Sequence, residues 1–121
     1  MDVALSLHGR IAIVLVLYFT LVGLWGLWLG VRDSGPTPSF RGAIVIAEIG
    51  AIAQGLLGLG VLAVGDRPDA IHVLYGFALV VAMPLAASLV RERAPRGQAL
   101  ALGFAALFAA GLAIRGITTA R

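Results

Sequence analysis

Long apolar runs separated by short polar breaks dominate the chain. The runs are Ile11 to Val31, Gly42 to Gly65, Ala70 to Val90 and Gly97 to Ile114, and most charged residues fall outside them. Each run is near the roughly 20 residues that cross a hydrocarbon core about 30 Å thick at a helical rise of 1.5 Å per residue. Backbone groups in lipid must be satisfied within the protein, which leaves helices or closed barrels. The two-residue polar alternation of a barrel strand is missing. The pattern therefore predicts an all-α membrane protein with transmembrane helices over about 7–31, 42–65, 70–90 and 97–117.

The breaks are short: "RDSGPTPSFR", "DRPD" and "RERAPR". Short connections make consecutive helices antiparallel neighbours, so the expected architecture is an up-down-up-down bundle forming one domain over residues 1–121. Pro36, Pro38, Pro68 and Pro95 sit in or beside the breaks, while Pro84 falls within the third run and predicts a kink there. The opening "MDVALSLHGR" carries an acid where a cleaved signal peptide has a basic region, so the first helix is expected to be retained.

Composition sharpens this picture. Of 121 residues 60% are hydrophobic and 12% charged, a balance outside the range of soluble domains of this size. With no cysteine, disulfides, thiolate metal sites and cysteine nucleophiles are excluded. All nine basic residues are arginines flanking the apolar spans, which argues for a role in topology and headgroup contact and against nucleic acid. Arg32, Arg41, Arg91, Arg93 and Arg96 lie on one side, and Arg10, Arg67, Arg115 and Arg121 on the other. The positive-inside rule then places the first and third loops in the cytoplasm and both termini outside a bacterial-type inner membrane. Trp25 and Trp28 fit an interfacial anchor near the cytoplasmic end of the first helix.

Polar side chains within the spans are costly and are the first candidates for chemistry. His8 and His72 begin parallel helices at similar depth, and two imidazoles facing each other across a bundle form an axial pair for haem iron. One turn after them stand Ala12 and Gly76, and the second helix offers Gly55 and Gly58, small residues that leave room for a flat macrocycle. Arg10, Arg67 and Arg115 end on the same side, where propionates need charge-assisted partners. On the fourth helix Gly103, Leu107, Gly111 and Arg115 share a face. A histidine near the interface can instead hydrogen-bond a carbonyl, and glycines at helical spacing also serve close packing. Two histidines fall short of the three or four ligands that zinc takes.

Glu48 and Gln54 are the candidates for proton or quinone chemistry. Arg41, seven residues before Glu48 on the same face, offers it a snorkelling ion pair, and Gln54 reads first as an interhelical hydrogen-bonding group.

"QGLLGLGVLAVGDRP" followed by "IHVLYGFALV" resembles the haem A synthase family, in which a Q-G-x-L-G-type helix precedes a short outer loop and a helix opening on a haem-ligating histidine. "LHGRIAIVL" is similar to the His-Arg opening of the helix that carries the partner ligand. The likeness spans about residues 7 to 85 and implies His8 and His72 as axial ligands, with Arg10 beside the first. The chain lacks the glutamates that precede the first histidine of the catalytic half, and the outer-loop cysteines of many members. It therefore resembles the half that holds haem b. The expectation is a small b-type cytochrome for electron transfer or haem handling, either as a homodimer or docked on a respiratory or photosynthetic membrane complex. The alternatives are a haem-free accessory subunit of a membrane complex, a small dimeric transporter using Glu48, and an enzyme of haem modification or quinone oxidoreduction.

Overall fold

In the computed structural model, which describes residues 2–63 and 70–118, four α-helices account for nearly all of the described residues: α1 (Asp2–Val31), α2 (Pro38–Ala63), α3 (Ala70–Leu89) and α4 (Pro95–Thr118). The "DRPD" connection with Arg67, and Arg121 at the C-terminus, lie outside the described residues. All four helices are long and apolar enough to cross a membrane, so the chain is a multi-pass membrane protein.

α2 and α4 start ahead of their apolar runs because local capping extends them. At the start of α2 the Thr37 hydroxyl accepts a hydrogen bond from the Phe40 amide at 3.1 Å, and Pro38 occupies the first turn, where its missing N–H has no partner to lose. Pro95 starts α4 in the same way. The C-terminus of α1 closes with two bonds, Ser34 N–H to Leu29 O at 2.8 Å and Asp33 N–H to Gly30 O at 3.0 Å, with Asp33 left-handed at φ 62°. Arg96 Nε donates to the Gly30 carbonyl at 2.8 Å, adding a cation at the negative end of α1 and tying it to the start of α4. Pro84 lies inside α3, which continues past it to Leu89.

Each helix packs on its sequence neighbours, and α4 closes the ring on α1. Among the described residues α1 and α3 form one diagonal and α2 and α4 the other, as an up-down-up-down bundle requires. The tightest seam is α1 on α4. A Cβ on Gly103 would stand 2.8 Å from Leu27 N and 2.9 Å from Gly23 O, so only glycine permits the two backbones to approach this closely. The face of α4 toward the bundle is built from small residues, with Ala99, Ala106, Ala109, Ala110 and Ala113 buried. Large side chains such as Ile13, Leu17, Leu21, Phe104 and Phe108 point outward, where lipid tails cover them at no hydrophobic cost. Helix association here depends on close packing and a few hydrogen bonds, among them Tyr18 O–H to the Ala43 carbonyl at 3.0 Å.

Two sequence expectations are corrected. Arg41 does not pair with Glu48; its guanidinium donates to Gln98 Oε1 at 3.0 Å, and the Gln98 amide in turn donates to the Arg91 and Arg93 carbonyls. Arg41 stands in the first turn of α2, beside the α3–α4 connection, and reaches that polar end of the bundle instead of two turns into lipid. The tryptophans also divide. Trp28 is exposed with the Arg32 guanidinium 4.5 Å over its ring, as an interfacial anchor, whereas Trp25 turns inward edge-on to the buried Phe40 at 5.4 Å.

Candidate functional site

At the other end of the bundle from Arg41 the four helices line a cavity of about 570 Å³, within the range of pockets that enclose a cofactor-sized ligand. Among the described residues α2 and α3 make the slightest contact in the ring, and Gly55 and Gly58 of α2 and Gly76 of α3 stand in the cavity wall. His8, Arg10 and Ala12 of α1, Gln54, Gly55 and Gly58 of α2, and His72 and Gly76 of α3 all line the cavity, with Leu112, Ala113 and Gly116 of α4 completing the wall. The lining is mainly apolar.

His8 and His72 approach across the α1–α3 diagonal. Their ring centroids are 6.1 Å apart and the rings are inclined at 72°. His72 Nδ1 lies 2.7 Å from the Gly116 carbonyl. A carbonyl can only accept, so Nδ1 carries the proton and Nε2 keeps its lone pair, the tautomer that a metal-ligating histidine adopts when its other nitrogen is held. His8 is seated on α2: a Cβ at Gly58 would lie 3.2 Å from His8 Cε1, so this glycine makes the space that the imidazole occupies. One turn earlier Gln54, 9% exposed, donates from Nε2 to the His8 backbone carbonyl at 2.7 Å. His8 Nδ1 and Gln54 Oε1 are both buried without a hydrogen-bond partner.

The chemistry of these residues is compatible with a haem. With metal–imidazole bonds near 2 Å, two imidazoles on opposite sides of an ion have centroids roughly 6 Å apart, the spacing found here. A Cβ on Gly76 would meet nothing within 4 Å, so open space adjoins the helix next to His72. A bare ion would need three or four protein ligands, and no cluster of three His, Cys, Asp or Glu side chains occurs among the described residues.

The other sequence candidates are placed differently. Arg115 is not in the cavity wall, but its guanidinium stands 5.7 Å over the ring of Tyr75, which is. Gly103 belongs to the α1 seam and Gly111 faces open space, so the small residues in the row below Arg115 serve packing and the bundle exterior, not the cavity. Glu48 lies apart from the cavity, half-buried, with Oε1 buried and unpartnered. One contributor had no sequence signal, the Gly116 carbonyl, because it is a backbone group; Tyr75, next to Gly76 in "IHVLYG", stands out as a polar group in an apolar run. Comparison of the chain with protein-family models, with curated proteins and with solved structures gives no match.

Proposed function

We propose that the chain is a small membrane b-type cytochrome that binds one haem b between His8 and His72 near the outer face, for electron transfer or haem handling. The observation that carries this reading is the meeting of the chain's two histidines, from diagonal helices, at one apolar cavity with 6.1 Å between ring centroids. When bound, haem b supplies a one-electron iron couple.

The protein's own contribution is ligation, enclosure and charge. His72 is oriented by the Gly116 carbonyl, and His8 by its seat on Gly58. The mainly apolar wall lowers the local dielectric around the two ligands. Arg10 at the cavity and Arg115 over Tyr75 supply positive charge at the end where propionates would emerge. The ordered motifs that resemble the haem A synthase family support the same assignment. The arginine distribution supports a bacterial-type inner membrane location with both termini outside, and the lipid-facing exterior leaves room for a second copy or a larger respiratory or photosynthetic complex.

The transporter reading gains least from the geometry, because Glu48 is not part of the cavity wall. The test is an optical spectrum of detergent-purified protein, oxidised and dithionite-reduced, beside His8→Ala and His72→Ala. A low-spin b-type spectrum that is lost or turned high-spin in both variants is expected. Wild type that stays colourless after expression with added haem would overturn the proposal.

A further inference from the structure

A smaller cavity, of about 140 Å³, lies at the end of the bundle away from the histidines. Arg41 of α2, Ala87 of α3, Val90 and Arg91 just past its end, and Gln98 and Leu102 of α4 line it. The acceptors here are already occupied. The Gln98 amide donates to the Arg91 and Arg93 carbonyls at 3.1 Å each, and Arg96 Nε donates to the Gly30 carbonyl. Gln98 Oε1 accepts from Arg41 at 3.0 Å, which holds that guanidinium across the α2–α4 diagonal and uses one of its five N–H groups. Among the described residues no carboxylate pairs with Arg41 or Arg91; the ion pair at this end joins Arg96 to Asp33. Two cationic side chains with donors to spare therefore meet at one cavity.

The surroundings specify the anion. Guanidinium groups match phosphate oxygens in charge and in fork geometry. A cavity at the ends of membrane-spanning helices lies at headgroup depth, and basic pockets between such helices take the head groups of anionic lipids. Beside it α2 and α3 make the slightest contact in the ring, and the flanking surface is apolar, with Val45, one turn after Arg41, and Leu89 of α3 both exposed. A free anion would need the arginines alone, whereas an apolar flank suits acyl chains.

We propose that this cavity binds the phosphate of an anionic phospholipid between Arg41 and Arg91, with Gln98 as the positioning residue that sets Arg41. It shares no residue with the histidine cavity, so it stands whether or not haem is bound there. The arginines of this end then have unequal roles: Arg32 covers Trp28, Arg96 ties α4 to α1, and Arg93 stands outside the cavity wall.

The test is native mass spectrometry of full-length protein in micelles, titrated with dioleoyl phosphatidylglycerol, with dioleoyl phosphatidylcholine and with inorganic phosphate. One phosphatidylglycerol is expected to bind about fivefold or more tighter than phosphatidylcholine and to resist displacement by millimolar phosphate. Arg41→Gln and Arg91→Gln should each weaken that first adduct about fivefold. Arg93→Gln removes the same charge outside the cavity and should weaken it by less than about twofold, through screened attraction alone. Gln98→Glu gives Arg41 a carboxylate of its own and should weaken the adduct at least as much as Arg41→Gln, with circular dichroism reporting that the bundle is folded. Equal losses in the three arginine variants would reveal diffuse attraction and overturn the site, whatever Gln98→Glu does to the fold. Displacement by inorganic phosphate would make the ligand a free anion and overturn the lipid assignment.

Discussion

Gly103→Ala tests whether the α1–α4 seam holds the bundle together. The added methyl would lie 2.8 Å from Leu27 N, 2.9 Å from Gly23 O and 3.0 Å from the carbonyl carbon of Gly26. Carbon contacts are comfortable at about 3.5–4.0 Å, so the helices must separate by about 0.7 Å along this line. All three obstacles are backbone atoms, so no rotamer change relieves them. Overpacking of this kind costs about 1–3 kcal/mol, and every neighbouring contact along the seam loosens with it. Gly111→Ala is the control on the same helix: nothing lies within 4 Å of its Cβ, and the exchange gains up to about 1 kcal/mol of helix propensity. That gain is common to both exchanges, so the two variants should differ by the overpacking alone, about 1–3 kcal/mol. Unfolding in mixed micelles titrated with dodecyl sulfate, followed by circular dichroism and by fluorescence, measures this. Trp25 is a local probe, because it meets Phe40 edge-on, and the Cζ of Phe40 lies 2.9 Å from where a Gly26 Cβ would stand. Equal stability of the two variants, within about 0.5 kcal/mol, would refute the argument that backbone approach at Gly103 sets the seam.

Four further outcomes follow from named contacts. Gly58→Leu drives the His8 ring from its seat and should abolish haem retention in the reduced optical spectrum, whereas Gly60→Leu, exposed and facing open space, should leave it intact. Glu48→Gln should leave haem content and spectrum unchanged, because Glu48 does not line the cavity; loss of haem in that variant would contradict the site's placement. Tyr18→Phe removes the hydrogen bond to the Ala43 carbonyl and should cost about 0.5–1.5 kcal/mol in the same micelle unfolding assay, without altering haem content. Asp33→Gly relieves a left-handed non-glycine residue at the end of α1; the exposed Arg96 pair it gives up, at 3.8 Å, is worth little, so a net gain of about 0.5 kcal/mol is expected by the same titration.

The amino-acid sequence by itself determined the four spans, their antiparallel order and the short list of polar residues to consider, because hydrophobicity over roughly 20 residues and short connections are local properties of the chain. It also singled out His8 and His72. Helix ends were less legible: α2 begins at Pro38, ahead of its apolar run, because the Thr37 cap and the proline favour helix where hydropathy is blind to it.

Tertiary structure decided which faces meet. "GLWGLWLG" announces close packing without naming a partner, and the partner proves to be Gly103, nearly eighty residues further along the chain. Arg41 and Glu48 share a face of α2, yet Arg41 finds Gln98, since a neighbouring helix offered an acceptor at the polar end. Helical period fixes the directions of side chains about one axis and says nothing about the register between axes. The 6.1 Å between the two imidazoles, and the carbonyl of Gly116 that orients one of them, exist only once four axes are set against each other.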